Sequence, residues 1–314
     1  MTEARRDEQR FSGSRLERRL RTGHFVVTAE VNPPRHAGGE VVRAEARLLK
    51  GAVDAVNLTD GTRGIVRMSA TAAALLVKDE GIEPIVQITC RDRNRIALQS
   101  ELLGLSAIGL HNLLLLTGDD PTQGDHPDAK PVFDLNGTSL LAAANKMRRE
   151  ATFLSGRSIP EPPSLFLGAA GDPERDLAKP EKMPFAEKAA AGADFVQTQA
   201  VFDLARFREW LALLSASGLE KRVAILAGVF FLDSAKRAHF LKTRVPGIVM
   251  PDAMYERMAH AKDERAEGLK VAIELVDQMA SLEGVRGVHL MGIDATEDLK
   301  AIVEGSGLAR HVAA

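Results

Sequence analysis

Glu30 closes an apolar run, residues 24–31 (HFVVTAEV), and is followed by Asn32-Pro33-Pro34-Arg35. A carboxyl in that setting is partly desolvated, which raises its pKa toward the range of a general acid. An ion pair with Arg35 or another rim arginine is the plainer alternative. Asp119 stands in Leu116-Thr117-Gly118-Asp119, where glycine lets the backbone approach a ligand closely; a loop-capping aspartate is the competing reading. Gln197 and Gln199 alternate with Val196 and Thr198, so on a strand both point to one face. Amides donate and accept, which suits the edge of a heterocycle.

Two further clusters carry less. Asp119, Asp120, Asp125, His126 and Asp128 match neither an EF-hand nor a zinc-binding helix, so no metal site is expected. Cys90-Arg91-Asp92-Arg93-Asn94-Arg95 opens a helix after a strand, where amides and arginines could receive a phosphate, or where arginines and aspartates could form a surface network. Cys90 has no histidine near it in sequence and reads as a small packing residue.

The elements that must position these groups follow a βα rhythm. Eight strand-like runs occupy 24–31, 53–59, 84–89, 112–117, 164–169, 194–199, 223–229 and 287–291. Several are nearly continuously apolar, as parallel strands buried on both faces are. Helical spacing fills 66–78, 94–105, 138–149, 181–191, 204–215 and 234–243, and 251–282 predicts one or two extra helices outside the ring before the last strand. Residues 14–21 predict a short basic helix closed by Gly23, its arginines a solvated face, after a flexible tail at 1–13. The expected fold is α/β, a single (βα)8 TIM barrel over 14–314. A doubly wound sheet lacks its G-x-G-x-x-G and P-loop signatures. In a barrel, loops after strands build the active face, so the long loops at 118–136 and 168–184 would hold ligand contacts. Glu30, Asn57, Thr59, Asp60, Gln87, Thr89, Thr117, Asp119, Asp172, Gln197 and Gln199 would converge on one mouth.

Composition narrows the classes. The chain has 314 residues, 45% hydrophobic and 27% charged, enough for a sizeable core. Net charge is −2 and aromatics are 4%, which leaves neither the basic excess nor the stacking rings that nucleic-acid binding needs. No apolar run reaches the roughly 18 residues of a membrane span, and the arginines of the first turns precede no signal-type apolar core. The one cysteine excludes an internal disulfide and fits a cytoplasmic location. No strand-like run carries a lysine at its end, as a Schiff-base aldolase would need.

Six stretches in register then match a known pattern: Thr28-Ala29-Glu30 with Pro33-Pro34-Arg35, Val56-Asn57-Leu58-Thr59-Asp60, Gln87-Ile88-Thr89-Cys90-Arg91-Asp92-Arg93-Asn94, Leu116-Thr117-Gly118-Asp119, Val132-Phe133-Asp134-Leu135, and Ala191-Gly192-Ala193-Asp194-Phe195 running into Thr198-Gln199. The chain resembles the methylenetetrahydrofolate reductase family. That resemblance implies a barrel flavoprotein that takes hydride from NADH or NADPH onto FAD, with FMN or no flavin as variants, and passes it to 5,10-methylenetetrahydrofolate. By position it makes Glu30 the general acid and Asp119 the aspartate near flavin and pterin. Gln199 becomes the folate-contacting glutamine, and Phe240 the ring against folate or nicotinamide. For the flavin it implies Thr59, Gln87, Thr117, Gly118, Asp119, Phe133, Ala170 and Lys188, with Lys188 reaching a phosphate. Asp60, Gln87 and Asp172 depart from forms seen in other members, which leaves open a flavin-independent reductase or a folate-binding subunit that needs a partner. A homo-oligomer is the further expectation from the family.

Overall fold

The computed structural model describes residues 11–245, 247–292 and 296–308. Eight parallel strands close on themselves in sequence order: β1 Val26–Val31, β2 Ala55–Leu58, β3 Glu83–Thr89, β4 Asn112–Leu116, β5 Phe166–Gly171, β6 Phe195–Ala200, β7 Ala224–Phe230 and β8 Val285–Met291. The ring closes through β8 onto β1, where Val26 stands beside Gly287 and Thr28 beside His289. All eight runs read from the sequence are strands, and the barrel is as expected.

Helix α1 (Arg15–Arg21) precedes β1; α2 (Gly39–Leu49), α3 (Ala70–Asp79), α4 (Arg95–Ala107) and α5 (Gly137–Glu150) follow β1 to β4 in turn. Next come α6 (Pro173–Ala178), α7 (Pro184–Ala191), α8 (Leu204–Ala216), α9 (Ala235–Arg244), α10 (Asp252–Ala259), α11 (Glu264–Ala280) and α12 (Thr296–Gly305). Two starts differ from the sequence reading by more than one residue. The helix expected from 66 begins at Ala70, because the Ser69 hydroxyl accepts from the Ala72 N–H and fixes the first turn there. The one expected from 181 begins at Pro184, after a 3₁₀ turn at Pro180–Lys182. The 251–282 insertion holds α10 and α11, and α11 packs on β7 and β8 with Val271, Leu275, Val276 and Met279 buried, so it belongs to the ring itself.

The barrel interior is layered. At its floor, Leu16 and Leu20 of α1 pack with Val26, Ile85, Leu114, Phe166, Phe195 and Leu226. Phe166 and Phe195 stack with centroids 5.2 Å apart. Gly168 makes room for them, since a Cβ there would lie 2.3 Å from the Phe195 ring. The arginines of α1 are not merely a solvated face. Arg19 meets the buried Asp54 carboxylate at 2.8 Å and Arg15 donates to the Asp54 carbonyl at 2.8 Å, which clamps the plug to the strand ends. Glu83 accepts from the N–H groups of Arg15 and Leu16 at the free helix start. Within the expected tail, 1–10 lie outside the described residues, and the Ser12 N–H donates to Glu17 at 2.7 Å.

Candidate active site at the barrel mouth

One layer above the apolar floor the interior turns polar. Asn57 and Gln197 exchange amide hydrogen bonds at 2.6 and 3.1 Å, and the Gln197 Nε2 also reaches Thr28 Oγ1 at 3.2 Å. His289 Nδ1 lies 3.0 Å from Thr28 Oγ1 and 3.3 Å from Gln197 Nε2. All four side chains are buried. Burial pushes the His289 pKa down to about 3, so the ring is neutral and its Nδ1 is available to accept. His289 and Thr28 escaped the sequence reading; the signal was there, since His289 interrupts the apolar run 287–291 at an inward position.

Glu30 stands two residues above Thr28, on the same face of β1. It is half-buried; burial raises its pKa, and a hydrogen bond from Gln87 pulls it partly back. The anticipated competitor is spoken for. Arg35 pairs with Asp125 at 2.5 Å, so it does not neutralise Glu30. Gln199 is exposed at the mouth while Gln197 is interior, and the β6–β7 register shifts between Gln197 and Ala200. The Thr198 hydroxyl holds that irregularity by accepting from the Gly228 N–H at 2.8 Å.

Asp119 is exposed, and its Oδ2 accepts from the Arg63 N–H at 2.6 Å. Arg63 has φ 60, a left-handed backbone unusual for arginine, and its guanidinium lies 5.7 Å from the centroid of the Phe240 ring. Gly118 has φ +94, and a Cβ there would sit 3.0 Å from Thr89 and 3.1 Å from Arg91, so only glycine fits this turn without strain.

The expected cofactor residues divide into groups. Thr117, Ala170 and Lys188 line one cleft of about 580 Å³, together with the start of α5 and Arg175. Phe133 and Thr117 line an adjoining recess of about 270 Å³ that shares Asn136 and Ser139. Gln87 stands by Glu30, and buried Thr59 donates to Asn32 at 2.9 Å, on the side of the mouth toward β1. Lys188 Nζ donates to the Ala170 carbonyl at 2.5 Å, and burial lowers its pKa. Among the described residues two of its three ammonium protons remain for a ligand. The Thr117 hydroxyl accepts from the Gly137 N–H at 3.0 Å and keeps its own proton to give. Lys188, Arg175 and Thr117 thus form a cationic donor set that fits a diphosphate. Arg175 was not anticipated.

Several sequence candidates serve the scaffold. Asp60 accepts from the Thr89 N–H and hydroxyl and from Arg93, each at 2.8 Å, tying β2 to β3. Asp172 caps α6 by accepting from the Arg175 N–H. The arginine-rich stretch forms the ion-pair network, with Arg91 on Asp92, Arg93 on Asp60 and Arg95 on Asp134. Cys90 is buried in the core, and desolvation pushes its thiol up to about 11. Among the described residues no group of histidine, cysteine and acidic side chains is arranged to hold a metal, and no helix is long and apolar enough to cross a membrane.

Fold and mouth together define a (βα)8 barrel whose C-terminal rim gathers two carboxyl groups, Glu30 and Asp119, and a cationic cleft. The model of the methylenetetrahydrofolate reductase family matches residues 15–307, and the chain belongs to that family. A 5,10-methylenetetrahydrofolate reductase from Pectobacterium carotovorum is 24% identical over 93% of each chain. Methylenetetrahydrofolate reductase 2 of Schizosaccharomyces pombe is 24% identical over 80% of this chain, which spans only 40% of that protein's length. A Clostridium thermocellum protein that binds two copies of 5-methyl-5,6,7,8-tetrahydrofolic acid has the same fold, with TM-score 0.67 at 14% identity over 94% of this chain and 99% of its own.

Proposed function

We propose that this protein reduces 5,10-methylenetetrahydrofolate to 5-methyltetrahydrofolate, with NADH or NADPH as donor and FAD as the intermediate carrier. The observation that carries the reading is Glu30, a carboxyl kept toward its neutral form by burial at the mouth of a barrel of this family. Opening the substrate's imidazolidine ring consumes one proton: Glu30 gives it to N10 as the bond from N10 to the methylene carbon breaks. The resulting iminium carbon takes hydride and becomes the N5 methyl group. Gln87, by donating to Glu30, favours the carboxylate left behind and so assists release of that proton.

Asp119 has one oxygen engaged by Arg63, and Oδ1 is left to accept from the pterin's amino edge. Gln199, exposed at the same rim, offers both an amide donor and an acceptor. Phe240 supplies an open ring face. Lys188, Arg175 and Thr117 would hold the flavin diphosphate, with Ala170 and Phe133 as walls and Gly118 the close backbone approach. When bound, the flavin supplies a two-electron store between the two substrates. The protein acts in the reducing interior of the cell as a homo-oligomer.

The visible spectrum of the purified protein tests this directly. A flavin spectrum that bleaches with anaerobic NADH or NADPH and recovers on addition of methylenetetrahydrofolate is the expected result. A second reading, direct transfer from nicotinamide to folate, is favoured by one observation: Asp172 caps a helix where an aromatic wall for the flavin would be wanted. A colourless protein that oxidises NAD(P)H only with folate present would select it.

A further inference from the structure

Four arginines around the mouth are matched to carboxylates: Arg35 to Asp125, Arg91 to Asp92, Arg93 to Asp60 and Arg95 to Asp134. Arg67 donates to the Pro33 carbonyl and Arg175 lines the cationic cleft, while Arg63 lies on a ring. Among the described residues its guanidinium meets no carboxylate and rests on Phe240, a ring 43% exposed on α9. The backbone beneath it is held in the left-handed region, with φ 60 and ψ 21, by the bond from its N–H to Asp119 Oδ2. Three separate segments therefore meet here: the loop after β2, the loop after β4 and the middle of α9. A strained backbone fixed by a site carboxylate, presenting an unmatched cation over an open ring, is an arrangement for a ligand.

We infer that Arg63 is a specificity-determining residue that recognises the carboxylates of the substrate's glutamate tail; this rests on the folate reading above. The tail follows an aromatic ring in the substrate. When that ring takes the exposed face of Phe240, the guanidinium is displaced from it, and a carboxylate just beyond the ring replaces a weak cation–π contact with a charge-assisted, two-point hydrogen bond. The same Asp119 that receives the pterin edge sets the position of Arg63. Head and tail of the substrate are thereby read from one loop pair.

The test uses the full-length enzyme and two forms of the substrate, the natural glutamate and its diamide, which has the same rings and no negative charge. Arg63→Gly removes the side chain while suiting the left-handed backbone and keeping the N–H to Asp119; Arg63→Lys keeps a charge. Wild type should prefer the acid over the diamide in KM, and Arg63→Gly should collapse that preference by about fivefold, the scale of an exposed ion pair. Its kcat with the acid should hold, and Arg63→Lys should recover most of the preference. Equal loss with both forms, or no loss with either, overturns the assignment. If wild type turns over and binds neither form, the folate reading itself fails, an outcome distinct from any difference between variants.

Discussion

A few charged groups at the mouth of this barrel are held differently from those at its floor, although four rim arginines are ion-paired. At the floor, Asp54 is met by Arg19 at 2.8 Å, Glu17 accepts from Ser12 and Arg21, and Glu83 caps the start of α1, all around an apolar plug. At the mouth, Glu30 is desolvated beside the Gln87 amide, Lys188 is a half-buried cation on a carbonyl, and Arg63 lies on a ring. Polar groups that are satisfied internally stabilise a fold, whereas groups held away from their preferred ionic partners are available to a ligand. The contrast is the one expected where stability lies at one end of a barrel and chemistry at the other.

The hardest blow to that contrast would come from Glu30. Glu30→Gln should slow methylenetetrahydrofolate reduction by roughly 10²-fold to 10⁴-fold, the range for loss of a general acid, while the nicotinamide half-reaction keeps its rate. Stopped-flow measurement of each half-reaction separates them; equal losses in both would return Glu30 to a structural role. Because the proton-bearing form is the active one, the wild-type folate step should fall as pH rises through a pKa above the ordinary 4.5.

At the other end, Leu16→Ala should cost about 3 kcal/mol of unfolding free energy, as expected for truncating a fully buried leucine. Urea unfolding measures it. The kcat and KM of the folded fraction should stay at wild-type values, and a large change in KM would show that floor and mouth are not separable.

Lys188→Met sharpens the division within the mouth. The swap keeps the buried stem and removes a desolvated charge, so thermal stability should hold or rise while flavin affinity falls about tenfold. Fluorescence titration with FAD reads the affinity. A drop in stability with unchanged affinity would make Lys188 a strut for β5 through Ala170.

What the sequence made legible follows the same line. Strands buried on both faces announce themselves as apolar runs, and Ser14 marks a helix start by residue type. Thr117, Ala170 and Lys188, distant in sequence, meet in one cleft because the barrel rule sends every strand end to one rim. Side-chain pairings between loops were not legible. Nothing in the periodicity says that Asp60 is consumed by Thr89 and Arg93, that Arg35 turns to Asp125, or that Arg63 reaches Phe240. Such pairs join segments whose approach is fixed only after the ring has closed.

His289 offers the smallest effect and a test of sign. In the folded protein it stays neutral down to about pH 3, whereas unfolded it takes a proton near 6.5, so its share of stability is complete above pH 6.5 and is lost as pH falls through that window. Glu30 works the other way. Its raised pKa keeps a proton in the folded state that the unfolded chain has released, so its contribution is greatest below 4.5 and is lost as pH rises through the folded value. Where their windows overlap the two groups oppose each other, and the wild-type acid dependence should be shallower there than His289 alone would give. His289→Gln should remove a slope approaching about 1.4 kcal/mol per pH unit between pH 6 and 5, read from urea unfolding at each pH. Unchanged slopes would mean that the ring is protonated in the fold, and the Thr28 and Gln197 contacts would then have to be re-read with Nδ1 as a donor.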